Sequence, residues 1–350
     1  MLVQDSHFRL DWSTPQDVGR KAIAQNAADI EAMGARATAF VVAGHDRKVT
    51  NRGDRHHPLP AADQIAADDA GTNAPRLLPH SVDQRARLRR RRLSGCSKAD
   101  HERGGPRPHR LDVGGILGDR LAADVLRCRP VQPEVTIGMW EEAGRIGAGI
   151  VGGDLVSCRQ WVVSVTAIGD LDGRAPVLRS GAKAGSVLAV VGELGRSAAG
   201  YALWCNGIED FAELRRRHLV PQPPYGHGAA AAAVGAQAMI DVSDGLLADL
   251  RHIAEASGVR IDLSAAALAA DRDALTAAAT ALGTDPWPWV LSGGEDHALV
   301  ACFVGPVPAG WRTIGRVLDG PARVLVDGEE WTGYAGWQSF GEPDNQGSLG

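Results

Sequence analysis

Apolar and polar positions divide the chain into three zones. In the first, PQDVGRKAIAQNAADIEAMGAR places Ala22, Ile23, Ile30 and Met33 at helical spacing, which predicts an amphipathic helix. Pro15 suits its first turn and Gly34 its end. ATAFVVA then reads as a buried strand. The third zone begins near Met139. There EEAGRIGAGIVGGDLV reads as a helix followed by a turn, QWVVSVTAIGDL alternates like a strand, and SVLAVVGELG is a strand ending in a glycine turn. SAAGYALWCNG is helical, AQAMIDVSDG leads into a helix over 245–256, and GVRIDLS follows. PWVLSGGEDHALVACFV, WRTIGRV and ARVLVDG complete the pattern. Strands and helices alternate without a fixed repeat, which predicts an α/β or α+β fold.

The middle zone, 44–137, breaks this texture. It contains no Phe, Trp or Tyr, yet it carries about half of the arginines, including RARLRRRR at 85–92. Its one helix-like piece lies at roughly 111–128. A segment so poor in large apolar groups cannot offset its ordering entropy, so the expectation is an anomalous insert of low order. Blocks of like charge are usually solvated, and this one lacks the interleaved aromatics that single-stranded nucleic acid would stack on.

Composition narrows the function classes. Hydrophobic residues make up 44% of the chain, enough for real cores, and the net charge of −5 does not favour nucleic acid or a membrane surface as a partner. Five cysteines without a C-x-x-C pair argue against a zinc ribbon or disulfide framework. No run of about 18 apolar residues is present, and the first residues do not read as a signal peptide. The expectation is a cytoplasmic protein.

Candidate chemistry lies in acidic segments. Asp29 falls on the first helix, Asp154 follows two glycines, Asp241 and Asp244 bracket Val242-Ser243, and Glu295-Asp296 sit in SGGEDH. Glycines beside acids permit close backbone approach to a ligand. Oxygen ligands gathered from several turns suit Mg²⁺, which keeps waters and substrate phosphates in its shell. Each motif also has a plainer reading. Asp244 or Ser243 would cap the following helix, Asp29 would be a solvated charge, Asp154 a turn residue, and Glu295-Asp296 a polar hairpin turn. No Walker A loop and no protein-kinase motif set is present.

The order of the motifs is more specific than any one of them. LVQDSHF, KAIAQNAADIEAMGAR, GIVGGDLV, LRSGAKAG, GRSAAGYALW, RRHLVPQPPY, MIDVSDGLLADLRHIAEASG, LSGGEDHAL and GWQSF, over 1–43 and about 138–340, resemble thiamine-monophosphate kinases. These belong to the superfamily of aminoimidazole ribonucleotide synthetase and selenophosphate synthetase. The resemblance implies a two-domain fold. An N-terminal sheet domain over 1–43 and 138–176 would dimerise and hold ATP near the interface, and a C-terminal α/β domain over 177–340 would precede a short tail. It implies direct transfer of the ATP γ-phosphoryl group to thiamine phosphate, giving thiamine diphosphate, with several Mg²⁺ ions. Asp29, Asp154, Asp241 and Asp244 match metal ligands. Gly153, Asp154, Arg179 and Ser243 match ATP contacts, and His7, Glu295 and Trp337 match substrate contacts. A guanidinium fork suits phosphate oxygens, and an indole face suits a cationic ring.

The resemblance has two departures. The family carries a Gly-Asp-Asp-Ala motif and a Ser-Thr-Asp before the segment matching Met1, so the expectation is a first domain lacking part of its sheet and some metal ligands, with impaired activity. The family also has a short connection in place of 44–137, which points to an altered reading frame or misassigned start. The alternatives are a catalytically inactive protein that binds nucleotide or a partner, another ATP-using member of the superfamily, and RNA binding through 85–92.

Overall fold

The computed structural model describes residues 1–47, 133–158, 161–334 and 336. Helix α1 (Pro15–Ala32) begins where the sequence places it: Thr14 accepts from the Asp17 amide, the Asp17 carboxylate accepts from the Thr14 amide, and Pro15 occupies the first turn. Gly34 follows at φ 73°. Ala22, Ile23 and Ile30 are buried as expected, but Met33 is the C-cap residue and is 44% exposed.

α1 and α2 (Pro133–Ile146) cover one face of a four-stranded sheet ordered β1-β4-β2-β3. Its strands are β1 (Leu2–Val3), β2 (Arg36–Arg47), β3 (Gly149–Cys158) and β4 (Val162–Asp170). β2 runs parallel to β3 and antiparallel to β4. The two helices approach closely through glycine: a Cβ on Gly138 would lie 1.9 Å from the Gln16 carbonyl oxygen. Two expectations change here. GGDL continues an edge strand and is not a turn, because 149–158 pairs with 39–47 along its whole length. Ordered structure also reaches into both ends of the stretch 44–137, since β2 runs to Arg47 and α2 begins at Pro133. The rest of that stretch, with the arginine run and the helix-like piece at 111–128, lies outside the described residues.

The second sheet has six strands ordered β10-β7-β9-β5-β8-β6. They are β5 (Val187–Val191), β6 (Ala238–Asp241), β7 (Arg260–Leu263), β8 (Leu299–Phe303), β9 (Arg312–Leu318) and β10 (Arg323–Val326). Only β10 and β7 pair in parallel; the other neighbours are antiparallel. Side-chain alternation divides the strands between two cores. Leu188, Val190, Ile240 and Val300 face one core, and Ala189, Val191, Met239 and Leu299 face the other. Burial on both faces explains why these strands read as nearly continuous apolar runs.

The larger core is closed by α3 (Arg196–Cys205), α6 (Leu246–Ser257), α7 (Ala269–Leu282) and α8 (Trp287–Ser292). Leu246, Leu250 and Ile253 of α6 are fully buried, each contributing about 1.5–3 kcal/mol. Two further helices, α4 (Ala212–Leu219) and α5 (His227–Ala233), pack against α1. The fold is therefore the expected mixed α/β arrangement, two sheets with α1 touching elements of both.

Candidate active site

Two motifs more than fifty residues apart are laid on each other by backbone hydrogen bonds. The Glu295 amide donates to the Ser243 carbonyl (2.8 Å) and the His297 amide to the Val242 carbonyl (2.8 Å). SGGEDH is thus the connection from α8 to β8 and not a hairpin turn. It lies so close that a Cβ on Gly294 would sit 2.5 Å from the Ser243 carbonyl oxygen. Glu295 (φ 62°) and His297 (φ 53°) both hold left-handed backbone, a strained state for non-glycine residues. Asp296 between them anchors the loop, accepting from the Gly195 amide (2.5 Å) and the Ser197 amide (2.8 Å). Burial pushes the Asp296 carboxyl up to about 7 despite those donors.

Beneath this loop, the turn after β6 is organised by a residue the sequence reading passed over. The buried Asp249, one turn into α6, accepts the amides of Ser243 (3.0 Å), Asp244 (3.0 Å) and Gly245 (3.1 Å) on a single oxygen. Gly245 occupies the N-cap position at φ 122° without a side-chain cap. The expected capping by Ser243 or Asp244 is therefore absent: the donors that a cap would serve already have Asp249 as acceptor. The same bonds explain why this turn cannot supply bare amides to a phosphate. Burial, then the neighbouring Asp241, push Asp249 up to about 8.

Asp241 is buried at the end of β6, and its carboxylate contacts His297 Nδ1 at 3.0 Å. Burial is the largest influence on His297 and would lower its pKa, but the bond to Asp241 together with the charges of Asp241, Glu295 and Asp29 makes the net shift upward. Asp244 is half-buried nearby and is also raised, by burial and then by Asp241. Asp29 reaches the same region from α1. It is exposed by area, yet protein crowds its carboxylate, and burial followed by Asp241 raises it to about 6. The crowding of the carboxylate itself governs its titration, so the shift stands despite the open area. Arg179 lies on the exposed segment before β5, and its charge opposes the rise at both Asp29 and Asp244. That segment runs beside β6, where the Met239 amide donates to the Leu178 carbonyl.

Asp29, Asp241, Asp244 and Arg179 therefore share one electrostatic neighbourhood. Gly153 and Asp154 lie on β3 of the other sheet, both exposed, with Asp154 opposite Ala43. Among the described residues, no group of three His, Cys, Asp or Glu is gathered closely enough to hold a metal ion by itself. Trp337 lies outside the described residues.

His7 and Glu295 are tied together by Lys21, a second residue the sequence reading missed. Lys21 Nζ lies 3.0 Å from Glu295 Oε1 and donates to the His7 carbonyl at 3.0 Å. Burial would raise Glu295, but the Lys21 charge, with His218 beside it, holds it down at about 2. His218 is itself lowered to about 4 by burial and by Lys21, so at neutral pH its 3.4 Å contact with Glu295 is not an ion pair. The signal for Lys21 was a lysine within an otherwise buried helical stripe, visible in the sequence only once α1 is known to be covered on that side.

Comparison with known proteins agrees with this architecture. Residues 1–47 match the family described as AIR synthase related protein, N-terminal domain, and residues 183–294 match its C-terminal domain. A thiamine-monophosphate kinase of Mycobacterium tuberculosis is 75% identical over 350 residues, covering 100% of this chain and 82% of that protein. One from Corynebacterium glutamicum is 36% identical over 348 residues, covering 97% of this chain and 82% of its own length. Among solved structures, the thiamine monophosphate kinase of Aquifex aeolicus superposes with TM-score 0.64 at 22% identity, covering 94% of this chain and 86% of that one. A structure described as AaThiL complexed with AMPPCP and TMP has the same TM-score and identity, covering 97% and 85%. With a relative this similar along its whole length, the chain belongs to the thiamine-monophosphate kinase family.

Proposed function

We propose that this protein transfers the γ-phosphoryl group of ATP to thiamine phosphate, forming thiamine diphosphate. The observation that carries the reading is that the charge of Asp241 acts on both Asp29 of α1 and Asp244, with that of Arg179 opposing it at each. The acceptor is a phosphate group, already an anion, so the chemistry needs positive charge and alignment more than a strong base.

The donor set fits Mg²⁺. It is made of carboxylate oxygens, and Asp29 and Asp244 are raised first by burial and then by the charge of Asp241, which a bound cation would offset. Asp29, Asp241 and Asp244 would hold the ions, with Asp154 from the other sheet. Because the described carboxylates do not form a closed cage, water and phosphate oxygens would complete the coordination. When bound, Mg²⁺ supplies neutralisation of the phosphate charge. Arg179 binds phosphate oxygens through its planar fork. Gly153 and Ser243 contact ATP, although the Ser243 amide is already committed to Asp249. His7 and Glu295, with Trp337, hold thiamine phosphate. His7 Nδ1 accepts the Val3 amide at 3.1 Å, so Nε2 carries the proton in the neutral ring. Each residue thus binds or orients, and the rate gain comes from alignment and electrostatics.

The proposed assembly is a homodimer joined through the four-stranded sheet. Among the described residues β3 is an edge strand, and Val41, Val156 and Ile168 on that sheet are each more than a third exposed.

The test is product formation. The purified chain with ATP, Mg²⁺ and thiamine phosphate is expected to yield thiamine diphosphate, and to stop when the metal is chelated. ATP binding without any thiamine diphosphate would overturn the kinase reading in favour of a nucleotide-binding protein.

A further inference from the structure

α1 presents a stripe of buried polar side chains towards the C-terminal half of the chain. Asp17 pairs with Arg216, Lys21 with Glu295, and Glu31 accepts the amides of Gly226 (2.8 Å) and Gly228 (2.9 Å). Lys21 is the unusual member. Its side chain is only 3% exposed, and its ammonium finds three oxygens: Glu295 Oε1 at 3.0 Å, the His7 carbonyl at 3.0 Å and the His218 carbonyl at 3.4 Å. Three donors meet three acceptors, so the group is satisfied without water.

We propose that Lys21 is the positioning residue for the thiamine phosphate end of the site, joining the turn that carries His7 to the carboxylate of Glu295. This rests on the reading above, in which those two residues contact the substrate. The Glu295 backbone is already fixed by the bond to Ser243 and by the Asp296 anchor, so its carboxylate is the part left to be oriented. Lys21 takes one oxygen of that carboxylate, and His218 Nδ1 lies 3.4 Å from the other. His218 Nδ1 in turn lies 3.2 Å from Ser197 Oγ. The turn bearing His7 is tied to its own sheet by its hydrogen bonds to Val3, by the Gln4 amide on the Trp161 carbonyl (2.9 Å) and by Phe8 against Trp161, and Lys21 bonds both that turn and the SGGEDH loop. A purely stabilising role would not need an ammonium here, since a well-packed apolar side chain commonly serves as well as a buried ion pair. The charge is explained by what it holds.

The experiment uses the full chain with steady-state kinetics in both substrates. Lys21→Met is expected to raise the KM for thiamine phosphate at least tenfold while leaving the KM for ATP within twofold. Lys21→Arg, which keeps the charge, is expected to recover part of the loss. In the Glu295→Gln background, adding Lys21→Met should change the thiamine phosphate KM by less than twofold, because the two act as one unit. An unchanged KM for thiamine phosphate, or equal rises in both KM values tracking a lower melting temperature, would overturn the proposal. If Lys21→Met does not fold, Lys21→Arg carries the same test: a selective loss supports the proposal and a non-selective loss overturns it. Failure of the wild-type chain to make thiamine diphosphate is a separate result. It rejects the kinase reading, and calorimetric titration with thiamine phosphate then decides, with binding by wild type but not by Lys21→Met in support, and equal or absent binding against.

Discussion

Asp249 offers the sharpest test of how the acidic turn is built. Its side chain is buried, and one oxygen accepts three consecutive amides at 3.0, 3.0 and 3.1 Å. Asp249→Ala would leave these donors without an acceptor. Each such bond contributes about 1 kcal/mol net, and a buried donor left unpaired costs about 1–3 kcal/mol. The Gly245 donor is buried and the other two are partly buried, so one loss of about 1–3 kcal/mol and two of about 1 kcal/mol sum to roughly 3–5 kcal/mol. The expected loss is therefore about 3–5 kcal/mol, a large part of a typical domain's stability. Asp249→Asn should behave differently. With its pKa pushed up to about 8 by burial and Asp241, the carboxyl keeps its proton at neutral pH, and an amide is the neutral isostere with an oxygen for the same three donors. Its expected cost is about 1 kcal/mol or less. Urea unfolding of the three proteins at pH 7 reads this as a shift in midpoint at constant slope. If Asn is as damaging as Ala, the ionised carboxylate is what the turn requires. If Ala costs less than about 1 kcal/mol, the turn is not organised by Asp249 at all.

Asp244→Asn should leave unfolding within about 0.5 kcal/mol of wild type, because Asp244 caps nothing, while Mg²⁺-dependent ATP binding by calorimetry should weaken at least tenfold. Wild-type ATP affinity in that variant would remove Asp244 from the proposed metal ligands. Gly138→Ala should cost about 1–3 kcal/mol in thermal or urea unfolding, since the new Cβ would lie 1.9 Å from the Gln16 carbonyl oxygen and α1 and α2 must separate; an unchanged midpoint would show that the helices already have room. For Asp296, the folded pKa of about 7 lies above the ordinary 3.8. The folded state keeps a proton that the unfolded chain has released, so this contribution is fully present below about pH 4 and is lost as pH rises through about 7. The stability difference between wild type and Asp296→Asn should therefore shrink over that window, and a difference independent of pH would contradict the assigned shift.

Legibility in the sequence followed the range of the interactions involved. α1 was readable to its ends because its determinants are local: Thr14, Pro15, Asp17 and Gly34 act within a few residues of themselves. The strands of the six-stranded sheet were readable because burial on both faces leaves an apolar run. The GGDL segment was misread as a turn because two glycines ordinarily mark one, and nothing local reveals that 149–158 pairs with β2. The amphipathic signal of α4 was hidden by the charged run ELRRRH, whose arginines pair with Asp17, Glu193 and Glu213. Asp29, Asp241, Asp244 and Glu295 stood out because they sit in recurrent motifs. Asp249, His297 and Lys21 did not, since each takes its role from a partner at the far end of a hydrogen bond. An aspartate one turn into a helix looks like any solvated charge until three amides are seen to converge on it.

Local rules and tertiary demands disagree at one place more than elsewhere in the described structure. Two non-glycine residues, Glu295 and His297, hold left-handed backbone on either side of a carboxyl that burial drives towards neutrality. Within the same neighbourhood Asp29, Asp244 and Asp249 are raised by burial and by Asp241, while Lys21 spends its charge on a single carboxylate. Each of these features opposes folding on its own. They persist because the surrounding structure fixes them: the backbone bonds from 295 and 297 to the 242–243 turn, the Asp296 anchor on α3, and the Asp249 hub beneath. Such concentrated departures are what a site assembled for charge requires, since a fold selected only for stability would have relaxed them one at a time. Whatever binds here and brings positive charge removes part of that opposition, so ligand binding and folding draw on the same free energy in this cleft.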